Sequence, residues 1–257
     1  DRISDDYLPP AARRLVHLSS RLLPSAVIAN SAATLDALGA GARGGAVIPS
    51  PVAAASPAVR LRRGAGAALR VGMVGRLAPW KGQHLFLEAF AGAFPHGPEV
   101  AVIVGGALFG EDDYRADLDR QVDRLGLAGR VDFRGFQEDV GVELAQLDVL
   151  VHASTIPEPF GQVVVEGMAA GLAVVAPDAG GPAEVVDDGV DGLLYPMGDV
   201  AALTAVLRRL AADPELGERL GARARSTATG YTADRIAPRV MEVYRAVLGG
   251  GRLRRAR

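Results

Sequence analysis

The sequence contains no cysteine, which excludes disulfides, thiolate metal sites and thiol nucleophiles. Aromatic residues make up only 5% of it, with a single tryptophan. None interleaves with basic residues as a nucleic-acid stacking surface would. The formal net charge of −2 gives no polycationic footprint. No apolar run approaches the roughly 18 residues that a membrane-spanning helix needs. The four histidines, His17, His84, His96 and His152, have no metal-ligand spacing. No internal repeat is evident. No signal peptide opens the chain, and its first residue is Asp1, so it reads as a fragment or a processed chain.

What is present is a chain of 257 residues, 49% apolar, enough for one large domain or one domain plus a fragment. Residues 1–8 are polar and read as loose. A helix is expected from Pro9-Pro10 to about Leu23, and a short strand over Ala26–Ala29. Asn30 or Ser31 caps a helix through Leu38, and another short strand covers Ala46–Ile48. From Pro49 to about Gly66 the composition turns to Pro, Ala, Ser and Arg, which is linker chemistry.

A regular pattern follows. Strands are expected at Arg70–Gly75, Val100–Gly105, Val131–Gly135, Val149–His152 and Ala173–Ala176, with a weaker one at Leu193–Tyr195. Helical segments lie between them, and three more, near 199–212, 214–228 and 232–248, follow the last strand. Apolar strands alternating with helices predict an α/β, Rossmann-like parallel sheet with helices on both faces. The terminal GGGRLRRAR reads as a disordered basic tail, with membrane or partner binding as the alternative.

In such sheets ligands bind beyond the carboxyl ends of the strands. The unusual residues of this chain gather after those ends: Gly75-Arg76, Gly105-Gly106, Gly135, His152-Ala153-Ser154 and Pro177-Asp178 with Gly180-Gly181. Arg76 and Lys81 stand five positions apart in GRLAPWKG. Beside a helix N-terminus they would clamp a diphosphate; the alternative is two solvated loop cations. Neither a Walker loop nor a GxGxxG spacing is present.

The stretch PEPFGQVVVEGMAAG, from Pro157 to Gly171, holds Glu158 and Glu166 with seven residues between them. Pro157 and Pro159 bar a helix before Phe160, and the apolar run after it makes a buried helix. A carboxylate there needs a partner. Glu166 is expected two turns into the helix, so that both carboxylates look into one cleft. The N–H groups of Phe160, Gly161 and Gln162 would sit at an anion-favouring N-terminus, close to Arg76 and Lys81. Two solvated charges are the alternative. His152 reads as structural, and His84 and His96 as solvated or packing residues. Trp80 reads as a lid or packing residue, and Glu184 as a residue of its own helix start. Asp117 and Asp119 lie mid-helix, where i and i+2 face apart, and read as solvated.

The carboxylate pair and GRLAPWKG together resemble the retaining, GT-B-fold glycosyltransferases of family 4, the group 1 glycosyl transferases, over about residues 25–248. The resemblance implies a hexosyltransferase-class enzyme that uses a nucleoside diphosphate sugar of the UDP or GDP type, without a metal or other cofactor. It implies Glu166 on the ribose, and Glu158, Arg76 and Lys81 as catalytic groups, Glu158 on the sugar and the two cations on the diphosphate. Gly75, Phe160, Gly161 and Gln162 would line the nucleotide. Gly135 and Phe136 match the segment that meets the base; an ordinary strand end is their alternative.

The implied domains are 1–48 as a remnant of the acceptor domain, 49–69 as linker, 70–231 as donor-binding domain and 232–257 as a helix and basic tail. The sequence departs from the family where the first domain's glycine-rich loops and catalytic-histidine region would stand. A non-catalytic nucleotide-sugar module and a nucleotide-sugar epimerase-like enzyme are the competing readings. The acceptor is open, no nucleic-acid or membrane-spanning partner is implied, and a cytoplasmic location is expected.

Overall fold

The computed structural model describes residues 9–38, 45–52, 68–108 and 110–249. Six strands form one parallel sheet: β3 (Arg70–Val74), β4 (Val100–Val104), β5 (Val131–Gly135), β6 (Val149–Val151), β7 (Ala173–Pro177) and β8 (Leu193–Tyr195). Their order is β5-β4-β3-β6-β7-β8. The chain thus winds outward from β3 in one direction, returns to β6 beside it, and winds outward in the other. The α/β architecture with helices on both faces is borne out.

Side-chain alternation explains the two layers. Val71, Met73, Ala101, Ile103, Val149, Val151 and Val175 point to one face. There they meet α3 (Gln83–Ala93), α4 (Asp112–Arg124) and α8 (Val200–Ala212) through Phe86, Phe90, Leu118, Leu203 and Leu207. Val102, Val104, Leu150, Val174 and Ala176 point to the other face. They meet α5 (Val140–Leu144), α6 (Gln162–Ala169) and the later part of α9 (Pro214–Ala228) through Leu144, Val164, Met168 and Ala224. At about 25 cal/mol per Å² of apolar surface removed from water, this double layer dominates the stability of the sheet.

α7 (Gly180–Val185) follows β7 and packs with that second layer, and the elements toward the N-terminus form a smaller body. β1 (Val27–Ala29) and β2 (Gly45–Val47) make a two-stranded parallel sheet. Between them in the chain lies α2 (Ala32–Ala37), capped by Ser31, whose hydroxyl accepts from the Thr34 amide. α1 (Pro10–Leu22) precedes them and contains no buried residue. The last helix, α10 (Ala233–Leu248), passes back beneath this body, where Ile236 and Val243 bury against Ile48. A groove of about 410 Å³ at the junction is lined by Ile28, Asn30, Thr34, Ile48, Pro159 and Ile236, among others. Most of the proposed linker and the basic tail after Gly249, like residues 1–8, lie outside the described residues.

Candidate functional site

The strand order reverses between β3 and β6, and a crevice opens beyond the carboxyl ends of two strands whose connections leave in opposite directions. The segment after β3 carries Arg76 and Lys81, and the segment after β6 carries His152, Ser154 and Glu158. Topology thus brings residues about eighty positions apart to one place. A 3₁₀ turn, Pro79–Lys81, ends at Gly82, which then opens α3. Gly82 has φ +81°, and a Cβ there would stand 1.9 Å from the Ala153 carbonyl oxygen, so only glycine lets the two segments meet.

Glu158 is the centre of the arrangement. Its Oε1 accepts from Lys81 Nζ at 2.5 Å and from Ser154 Oγ at 2.5 Å, and stands 3.2 Å from His152 Nε2. The carboxylate side chain is only 11% exposed. Burial pushes its pKa up, but His152 and Lys81 outweigh burial and hold it well below the usual carboxylate range. Glu158 is therefore an ionised buried carboxylate near neutral pH. All three donors engage Oε1; none of them uses Oε2.

The loop after β7 supports the backbone of Glu158 from below. Gly181 N donates to the Glu158 carbonyl at 2.8 Å. Gly180 has φ +66°, and a Cβ at Gly181 would stand 2.3 Å from Phe160 Cα. Side chains at either position would force the carboxylate segment away.

Trp80 lies under both cations, with Lys81 Nζ 4.5 Å and Arg76 Cζ 5.7 Å from its ring centroid. It is a platform rather than a lid. Arg76 is turned toward Glu111, Nε to Oε2 at 3.6 Å. Its carbonyl accepts from Gln83 Nε2 at 2.9 Å, and Gln83 in turn accepts from the Tyr114 hydroxyl. Burial pushes the Tyr114 pKa up to about 12. Both cations are thus held by carboxylates, Lys81 by Glu158 and Arg76 by Glu111.

Glu166 is the fifth residue of α6, one turn from its start rather than two. It accepts from Gln162 Nε2 at 3.1 Å on the outward side of a helix whose Val164, Val165 and Met168 are buried. Gly161 caps α6 with φ +78°. Helix termini leave their first amides without intrahelical acceptors, so the start of α6 favours an anion. The Phe160 ring is buried against Tyr231, with centroids 6.0 Å apart. Gly75 has φ +152° and Gly135 φ +66° at the ends of β3 and β5, and Phe136 is 69% exposed.

Two expectations are corrected, for His152 and for Glu184. His152 is a partner of Glu158, not merely a strand-end residue; it is buried because the segment after β6 turns inward toward Lys81. Glu184 caps a different helix from its own: its two oxygens accept from the Ala32 and Ala33 amides at 2.7 Å each. His84 packs edge-on against Tyr114, and burial lowers its pKa. Asp117 and Asp119 are exposed and pair with Arg120 and Arg115 of their own helix. Gln83 and Glu111 escaped the sequence reading altogether. Ser154 entered it only as part of the segment after the fourth strand, without its bond to Glu158.

Among the described residues, no group of three or more His, Asp or Glu side chains stands where it could hold a metal ion. No helix among them is long and apolar enough to cross a membrane.

The family described as Glycosyl transferases group 1 matches residues 66–227, the whole of the six-stranded sheet and the helices around it. The chain belongs to the group 1 glycosyl transferases. Anabaena HepE, another protein, has been solved with UDP and glucose; it is 35% identical, with a TM-score of 0.87, over 96% of this chain and 70% of its own. A D-inositol 3-phosphate glycosyltransferase of Streptomyces scabiei is 32% identical over 99% of this chain and 61% of its own. The C-terminal domain of a group 1 family protein, LpcC of Francisella tularensis, aligns with 64% of this chain and 87% of its own at a TM-score of 0.60 and 28% identity. The chain spans from 18% to 61% of the length of curated relatives it matches.

Proposed function

We propose that this chain is the donor-binding part of a retaining glycosyltransferase of family 4. It would move a sugar from a UDP- or GDP-type nucleoside diphosphate sugar to a hydroxyl acceptor, as a cytoplasmic enzyme. The observation that carries this reading is the meeting of Lys81 and an ionised, buried Glu158 at the point where the strand order reverses. The solution of HepE with UDP-glucose supports it.

In this reading the diphosphate lies between Arg76, Lys81 and the start of α6. Charge grows on it as the bond to the sugar breaks, and fixed cations and helix amides stabilise that charge without having to reorient. Glu158 accepts a sugar hydroxyl through Oε2, while Lys81, Ser154 and His152 hold Oε1. Glu166 accepts from the ribose hydroxyls. The base rests near Gly135 and Phe136, with Gly75, Gly161 and Gln162 around the phosphates and Phe160 holding the loop. Residues 70–231 form the donor domain. The N-terminal body to residue 48 is part of the acceptor side, joined by 49–69, and the segment from residue 232 bridges back to it.

Calorimetric titration with UDP, GDP and their glucose and mannose conjugates tests the reading. One of them is expected to bind, with Glu166→Ala weakening the nucleotide alone and Glu158→Ala weakening the sugar conjugate relative to the nucleotide. Binding of none, or equal effects of both changes on the bare nucleotide, refutes it.

A further inference from the structure

Of the carboxylates that meet a cation in the crevice, Glu158 has a part in the proposed reaction and Glu111 has none. It stands at the residue before α4, in the position of an N-cap, yet its side chain caps nothing. Instead it reaches toward Arg76, with Oε2 3.6 Å from Arg76 Nε. Oε2 is buried and has no hydrogen-bond partner. A buried carboxylate oxygen without a hydrogen bond is costly unless a cation stands close. The helix start nearby would reward it for turning back to the α4 amides, so its orientation toward Arg76 needs its own explanation.

The crevice contains two parallel pairs, Lys81 with Glu158 and Arg76 with Glu111. Two cations and two carboxylates make a neutral set. Resting on the donor-site reading above, we propose that Glu111 is a competitor for Arg76: it holds the guanidinium, and the donor's diphosphate must displace it. Its chemistry resembles the ligand it yields to, an anionic oxygen at the same guanidinium. The Gln83–Tyr114 pair holds the Arg76 backbone, so the exchange is confined to the side chain. The competition lowers affinity for the diphosphate and so speeds loss of the nucleoside diphosphate product, which carries more charge than the sugar conjugate. Glu111 is thus a residue that tunes product release, and the effect of removing it runs opposite in sign to that of removing a binding group.

The test is calorimetric titration of the whole chain with UDP, GDP and inorganic pyrophosphate. Glu111→Gln keeps the side chain's shape and removes its charge. It is expected to bind the nucleotide that wild type prefers, and pyrophosphate, about fivefold more tightly, the upper range for a partly screened ion pair. Glu111→Asp, one methylene shorter, is expected to show a smaller gain. The gain should vanish when Arg76→Ala is also present, because the competition is for Arg76. Unchanged or weaker binding by Glu111→Gln, with wild type still binding, overturns the inference and leaves the donor-site reading intact. A gain that persists in the Arg76→Ala background also overturns it, since it would then reflect general repulsion. Binding by neither protein overturns the donor-site reading and the inference together.

Discussion

The six-stranded body and the N-terminal body of this molecule are held by different means. In the first, two layers of buried side chains sandwich a parallel sheet, and even Gln83 and Glu143 are enclosed. In the second, α1 buries nothing and shows Leu15, Leu18 and Leu22 to solvent along one stripe. That body is anchored by borrowed contacts: Ile236 and Val243 of α10, the Arg239 bond to the Val47 carbonyl and the Glu184 clasp on α2. Position in a packed layer, rather than residue type, decides what a side chain contributes.

The largest expected effect tests this contrast directly. Leu150 is fully buried on the central strand β6, and Leu150→Ala should cost about 2–5 kcal/mol in urea unfolding. Leu15 is 66% exposed, and Leu15→Ala should change stability by no more than about 0.5 kcal/mol. Comparable losses would dissolve the distinction between the two bodies.

A smaller effect concerns charge inside the first body. Lys81→Ala removes one charge-assisted bond to Glu158 and should cost about 1.5–3 kcal/mol, less whatever Ser154 and His152 restore. The acid response follows from the lowered Glu158 pKa. A carboxyl with a depressed folded pKa contributes stability that is present above its unfolded pKa and is lost as pH falls toward the folded value. The stability gap between wild type and Glu158→Gln should therefore be constant above about pH 5.5 and shrink as pH falls below about 4.5. Urea midpoints measured from pH 7 to pH 3 check the sign, and a gap that widened in acid would contradict it.

Next comes the junction. Glu184→Ala should expose the Ala32 and Ala33 amides to hydrogen exchange while protection in β3 and β6 stays unchanged. Its cost to overall stability should be about 1 kcal/mol, because these bonds lie at an exposed edge. Glu184→Gln should restore protection at no more than one of the two amides, since a carboxamide has a single accepting oxygen. The smallest effect lies back on the surface of the first body, where Asp119→Ala, losing its pair with Arg115 at 3.0 Å, should cost about 0.3–0.5 kcal/mol. It sets the scale against which the Glu184 clasp is judged.

The strands and most helices were readable because their signals are local. VAVIV at 100–104 is apolar without a break, and the helix at 214–228 begins with Asp213 and Pro214, a cap and a first-turn proline, as it does in the structure. The crevice was partly readable, because glycines and charges cluster after strand ends. What sequence spacing could not show is which charge meets which. Glu184 appears to belong to its own helix until α2, about 150 residues earlier, is seen to stop against it. Glu111 looks like one more acid before DDYRADLD until Arg76 is found beside it.

The amino-acid order alone therefore determined the alternation of strand and helix, the apolar faces of the sheet and the bent, proline-flanked segment that carries Glu158, since each depends on neighbours within a few residues. The tertiary structure decided the ionic pairing. Strand order placed the segment after β3 beside the segment after β6, and burial there made a carboxylate without a cation too costly to keep. Lys81 with Glu158 and Arg76 with Glu111 are the outcome of that constraint, and a linear spacing does not contain it.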